Sequence, residues 1–189
     1  MTLDTNSTVW TLRSWGRPLR LISPLLDCSS PETTPLQVEC GYMFCSVLAR
    51  SGDVYAWWPF NQSFEDPYLR TMGELDRDRS TRAIVSGDET VVPCHTWEMK
   101  HDPIKLPALP DLPGLPSTGM PKKERKKSTK LIKIAALSGS MVGLTNKGHV
   151  LKIDGLTDGK YVRRWNYVSG STRVTLHLLK QRHAAAKLL

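Results

Sequence analysis

The chain has 189 residues, 40% of them hydrophobic and 23% charged, which suits one globular domain carrying its own core. No apolar run approaches the roughly 20 residues a bilayer-spanning helix needs, and polar residues 2–8 lead into no apolar signal core, so no membrane span or exported fold is expected. The net charge of +8 is concentrated: residues 122–133 carry +6 and residues 168–189 carry +4, leaving −2 for the rest, whereas a phosphate-tracking surface needs basic side chains spread over the fold.

The 13 Gly and 13 Pro punctuate the chain often and favour short strands over long helices. Val9-Trp10-Thr11-Leu12 reads as the returning strand of a hairpin. Ser14-Trp15-Gly16-Arg17-Pro18 reads as the turn that follows it, and Pro24, Pro31 and Pro35 mark a loop into the next unit.

Residues 36–57 and 132–153 are two diverged copies of one unit, offset by 96 positions. Leu48/Leu144, Gly52/Gly148 and Val54/Val150 are identical pairs, while Val38/Ile134, Cys40/Ala136, Cys45/Met141, Tyr55/Leu151 and Trp57/Ile153 keep apolar character. In each copy a buried strand leads to a tight turn at the glycine, which is free to take a positive φ, and a β-prone strand returns. A lone hairpin is marginal in water, so each copy must stack on neighbours. Successive strand side chains point to opposite faces, which places Trp57 in the core, matching its counterpart Ile153 in the second copy, and leaves Trp58 at the surface or between units. Trp58 is the candidate binding residue.

Between the copies lies a long insertion, with short strands expected at 82–85 and 90–92. Residues 104–130 are expected to be irregular and exposed, because Pro107, Pro110, Pro113, Pro116 and Pro121 recur at polyproline spacing and a run of like charge follows. Lys122, Lys123, Arg125, Lys126 and Lys127 form a candidate nuclear-import patch. Residues 168–189 have no counterpart in the repeat plan and read as a separate tail with an amphipathic helical face on Leu176, Leu179, His183 and Ala186.

No constellation for catalysis stands out. Cys94-His95 with His101 matches no paired metal-ligand spacing, and Gly139-Ser140-Met141 lacks the lysine and spacing of a phosphate loop. Glu65-Asp66 and Asp76 with Asp78 sit in polar runs and read as solvated surface. No catalytic residue, metal ligand or cofactor is expected. Cys28, Cys40, Cys45 and Cys94 are expected as free thiols in a reducing compartment, with the chain in the cytoplasm, the nucleus or both.

Gly41, an apolar strand, Leu48, Gly52, Val54, Tyr55 and Trp57 together resemble the regulator-of-chromosome-condensation repeat. Phe44 stands at the repeat's histidine position, and in the second copy Leu137 and Ser140 stand at its glycine and histidine. Adding Ser14-Trp15-Gly16-Arg17-Pro18-Leu19-Arg20-Leu21, Trp58-Pro59 and Gly148-His149-Val150-Leu151, residues 8–167 resemble the fungal SCF-associated factor family. That resemblance implies an F-box segment followed by a seven-bladed β-propeller that recognises substrates for a ubiquitin ligase. The F-box segment is missing here and only two to three blades are present, so the chain is expected to be an incomplete propeller, all-β, and a fragment. The implied role is non-catalytic protein interaction in an SCF-type ligase, with a protein substrate or ligase subunits as partners. Guanine nucleotide exchange on a small GTPase, or chromatin association, is the alternative that such repeats imply. Nucleic acid and membrane are not expected partners.

Overall fold

The computed structural model describes residues 1–12, 17–77, 84–91, 94, 96–112 and 128–168. Strands β1 (Thr2–Leu3), β2 (Val9–Leu12) and β3 (Pro18–Ile22) come first. A short 3-10 turn at Pro24–Leu26 leads to β4 (Pro35–Cys40), β5 (Cys45–Ala49) and β6 (Val54–Trp57). Helix α1 (Gln62–Arg77), the hairpin β7 (Ile84–Ser86) and β8 (Glu89–Val91), and β9 (Trp97–Lys100) follow. β10 (Ile104–Lys105), β11 (Leu131–Ala136), β12 (Ser140–Thr145), β13 (Val150–Asp154) and β14 (Asn166–Tyr167) come last.

These strands make three four-stranded sheets, in the orders β1-β2-β3-β9, β4-β5-β6-β10 and β11-β12-β13-β14. Every pairing in the second and third sheets is antiparallel, so each is an up-and-down meander, the shape of a propeller blade. In the first sheet β9 joins β3 in parallel, after β4, β5 and β6 of the second sheet, α1 and the β7–β8 hairpin have intervened in sequence. Among the described residues the fold is a partial β-propeller of three blades with one α-helix inserted.

The second and third blades repeat down to single hydrogen bonds. Ala49 N donates to Asp53 O at 2.9 Å, and Thr145 N to His149 O at 2.9 Å. Arg50 N reaches Thr34 O, and Asn146 N reaches Lys130 O, both at 2.9 Å. The inner pairing slips at the same place in both, between Pro35 and Gln37 and between Leu131 and Lys133. Gly52 and Gly148 take φ of 96° and 84° at the turns, a region in which a side chain is strained. The fourth strands also match. Ile104 and Lys105 face Ala56 and Tyr55, with Leu106 N on Val54 O at 2.8 Å. Asn166 and Tyr167 face Lys152 and Leu151, with Val168 N on Val150 O at 3.0 Å.

Alternation along the strands sends one set of side chains to each neighbour. Val47, Ala49, Tyr55 and Trp57 pack with Val9, Leu19, Leu21 and Met99 of the first blade, under Phe64 and Tyr68 of α1. Leu48, Val54, Ala56 and Trp58 pack with Leu131, Ile134, Met141, Leu151 and Ile153 of the third. The middle blade is buried on both faces, which explains its near-continuous apolar sequence. The innermost strands of these two blades are also tied by side chains. The Gln37 amide donates to Ile134 O at 2.7 Å and accepts from Ile134 N at 3.1 Å, and a Glu39 carboxylate oxygen accepts from Ala136 N at 3.3 Å.

Several expectations change. Val9–Leu12 is the second strand of its blade in sheet order, not the returning third; β3 holds that place. Helix α1 was not foreseen in the insertion, although β7 and β8 fall near the expected strands. Residues 104–112 meet the expectation of an irregular, exposed segment only in part: 106–112 form no regular element and Ile104, Lys105, Pro107, Ala108 and Asp111 are exposed, but the segment is held to the fold. β10 pairs with β6, Leu106 is buried, and Leu109 and Leu112 pack on the core between the second and third blades. Burying these leucines outweighs the proline content. Val168 extends the third blade's ladder, so the tail cannot begin before residue 169. The turn at residues 14–16, residues 113–127 and residues 169–189 lie outside the described residues.

Candidate interaction surface

The meander brings four connections to one end of the second and third blades. They are the β4–β5 loop at 41–44, the segment 58–61 after β6, the β11–β12 loop at 137–139, and the segment 155–161 after β13. Main-chain and side-chain bonds fasten them to one another. Tyr42 N donates to Ser138 O at 3.3 Å and Leu156 N to Gly139 O at 3.0 Å. Trp58 Nε1 donates to Leu156 O at 2.9 Å, and Asn61 Nδ2 to Asp158 O at 3.1 Å.

On this fastened base four large apolar or aromatic side chains face solvent. Tyr42 is 77% exposed, Tyr161 74%, Phe60 58% and Leu137 47%, while Phe44 in the same loop as Tyr42 is 1% exposed. The opposite end of the two blades exposes Leu36 and Ile132 at 48% and 44%. There Ser51 Oγ donates to Asp53 Oδ2 at 3.1 Å, and Lys105 pairs with Asp53 at 2.9 Å. Exposed aromatics on a rigid scaffold are the usual anchors of protein recognition, because they bury much area with little rotamer entropy to lose. Sequence reading missed this surface because its members come from four separate connections. The available signal was apolar residues lodged beside turn residues: Tyr42 after Gly41, and Tyr161 after Gly155 and Gly159.

Trp58, the residue singled out from sequence, takes the second of its two expected places, between the units. It is 5% exposed, its indole N–H is used on Leu156, and Gly159 lies against its ring. It is a fastener between blades, and the exposed anchors are its neighbours. The basic patch Lys122, Lys123, Arg125, Lys126 and Lys127 lies outside the described residues.

The remaining candidates serve the fold. His101 packs edge-on against Phe64, ring centroids 4.9 Å apart, and burial pushes its pKa down. Asp76 pairs with Arg17 at 2.6 Å. Among the described residues no group of three His, Cys, Asp or Glu side chains could hold a metal ion, and no helix is long and apolar enough to cross a membrane. An open groove of about 920 Å³ beside the first blade is lined by Asp4, Arg20, Asp27, Lys100 and Asp102. Its polar groups are engaged internally: Asp4 accepts from Asn6 N, Thr8 N and Trp10 Nε1, and Asp102 accepts from Ser23 Oγ at 2.9 Å. Cys40 and Cys45 lie together, with Sγ atoms 3.6 Å apart.

No family model matches the chain, and no curated protein matches it. Among solved structures it is similar to Prp20p from Saccharomyces cerevisiae, described with its binding to Gsp1p and histones, at 14% identity and a TM-score of 0.39 over 88% of this chain and 34% of that one. It is similar to yeast RCC1 (Prp20) bound to Kap60, at 14% identity and a TM-score of 0.38 over 84% of this chain and 29% of that one. It is similar to human WBSCR16, at 16% identity and a TM-score of 0.33 over 72% of this chain and 27% of that one. The chain spans about a third or less of the length of each of these proteins.

Proposed function

We propose that the chain is a non-catalytic protein-interaction module that offers the loop end of its second and third blades to a protein partner. Within that class, we assign it to substrate recognition in an SCF-type ubiquitin ligase adaptor. One observation supports the first statement above all. Tyr42, Phe60, Leu137 and Tyr161 come from four separate connections, yet all are exposed at the same end of two blades packed face to face. A solvated surface has no use for four such side chains at one end, and an interface core has. The ligase assignment rests on the resemblance carried above all by Ser14-Trp15-Gly16-Arg17-Pro18-Leu19-Arg20-Leu21, together with the Cys40-Gly41 hairpin, Val54-Tyr55-Ala56-Trp57-Trp58-Pro59 and Gly148-His149-Val150-Leu151.

The test is affinity capture of the tagged chain from proteasome-inhibited cells, beside a Y42A/F60A/L137A/Y161A variant. A protein that is itself ubiquitinated should be captured by the parent chain and lost from the variant. Capture of a small GTPase without a ubiquitinated protein would overturn the ligase assignment and favour the exchange-factor alternative. Equal capture of the same partners by both chains would overturn the loop-end surface.

A further inference from the structure

We propose that Cys40 and Cys45 are a redox pair, closing to a reversible disulfide across the loop end of the β4–β5 hairpin when the protein meets a peroxide. The two residues are direct cross-strand partners, with Sγ atoms 3.6 Å apart and no other bond to be broken first in this register. The ladder sets the Cα separation. Gly41 N bonds Phe44 O at 2.9 Å, and on its other edge β5 bonds from Ala49 to Asp53 at 2.9 Å. By alternation, Cys40 and Cys45 then form a non-hydrogen-bonded pair, whose Cα atoms lie about 4.5 Å apart. A disulfide spans Cα separations of roughly 4.4–6.8 Å, so the sulfurs can close to about 2.05 Å with little backbone movement.

The two thiols are unequal in a useful way. Cys40 is exposed and Cys45 is half-buried against the core shared with the first blade. The hydrogen bond from Cys45 lowers the Cys40 pKa to about 7, and the same contact with burial raises Cys45. The reactive thiolate therefore sits on the accessible partner and the proton on the sheltered one.

The chemistry balances with a peroxide as the named oxidant. The Cys40 thiolate attacks one peroxide oxygen, the O–O bond breaks, Cys40 becomes a sulfenic acid, and the other oxygen leaves and takes a proton from solvent. The Cys45 sulfur then attacks the Cys40 sulfur. The S–S bond forms, the S–O bond breaks, and the departing hydroxide takes the Cys45 proton as water. Two thiols lose two electrons, and hydrogen peroxide becomes two waters.

The third blade shows that the fold has no structural need for this pair. Its equivalent cross-strand partners are Ala136 and Met141. The chain also carries its own controls. Cys28 donates its thiol to Ser7 O at 3.2 Å, and burial raises its pKa. Cys94 is exposed and has no cysteine partner.

The test uses the intact, reduced chain treated with hydrogen peroxide, blocked with a maleimide and cleaved between Tyr42 and Met43. The peptides holding Cys40 and Cys45 should be found joined, two hydrogens lighter, and separable by dithiothreitol. The pair should form at least ten times faster than Cys28 or Cys94 is oxidised. In Cys45→Ser, which keeps a hydrogen-bond donor beside Cys40 but cannot close a disulfide, dimedone should trap a sulfenic acid at Cys40. The double variant C40A/C45M carries the third blade's own pair and should stay folded without the link. Joined peptides involving Cys28 or Cys94 at equal rate, or dimers linked between chains, would overturn the proposal. So would a Cys45→Ser variant whose Cys40 traps no more dimedone than Cys94.

Discussion

The indole N–H of Trp58 donates to the Leu156 carbonyl at 2.9 Å, tying the residue that follows β6 of the second blade to the loop leaving β13 of the third. A built Cβ on Gly159 would come within 2.9 Å of the Trp58 ring, so the loop must carry glycine where it passes the indole.

Trp58→Phe keeps most of the packing but leaves the buried Leu156 carbonyl without its donor. It should cost about 1–3 kcal/mol in urea unfolding. Trp58→Ala also opens a cavity and should cost about 3–5 kcal/mol. Equal costs for the two would show that the hydrogen bond, not the ring, carries the contact.

The two repeat turns should respond differently to the same change. Gly148→Ala meets only the strain of a positive φ, since no atom lies within 4 Å of the added carbon. It should cost about 1–2 kcal/mol. At Gly52 the added carbon would also come within 2.6 Å of Lys130 Cβ and 3.0 Å of Leu131 N of the third blade. Gly52→Ala should therefore be the more destabilising by denaturant midpoint.

Tyr42 and Phe44 share a loop but not an environment. Phe44→Ala should cost about 3–5 kcal/mol, because the ring is fully buried between two blades. Tyr42→Ala should move stability by less than about 0.5 kcal/mol, leaving the binding effect to be read without a folding defect.

The hairpins were legible because a turn glycine, a β-branched return strand and an apolar alternation agree at the same positions, and the offset between Val54 and Val150 repeats them. The inserted helix was not. Its buried stripe is only Phe64 and Tyr68, with Met72 partly covered, and Pro67 and Gly73 read as breakers. Pro67 lies inside the helix, past its first turn, and forgoes the bond its position would make to Ser63 O. Residues 104–112 were misread in part because proline spacing says nothing about where Leu106 can reach. The site was least legible of all. Strand register, which local composition does not encode, decides that Tyr42 and Tyr161 emerge at one end while Trp58 turns inward.

Alkylation of Cys40 should rise with pH around a midpoint near 7, since the Cys45 hydrogen bond lowers its pKa to that value. Below the midpoint the thiol holds its proton and reacts slowly. Cys28 should lag well above it, because burial and the nearby Asp27 and Asp4 carboxylates raise its pKa. A Cys40 profile lying above that of Cys28 would contradict the hairpin geometry.

The account stands on the second and third blades being copies of one unit packed face to face, and amide hydrogen exchange reads this most directly. The Ala49 and Thr145 amides hold equivalent bonds to Asp53 and His149, and Leu106 and Val168 hold equivalent bonds in the fourth strands. All four should be protected and should open together as denaturant is raised, with the Trp58→Ala variant lowering their opening energies in parallel. Fast exchange at Thr145 and Val168 while Ala49 and Leu106 stay protected would contradict the stacked repeat.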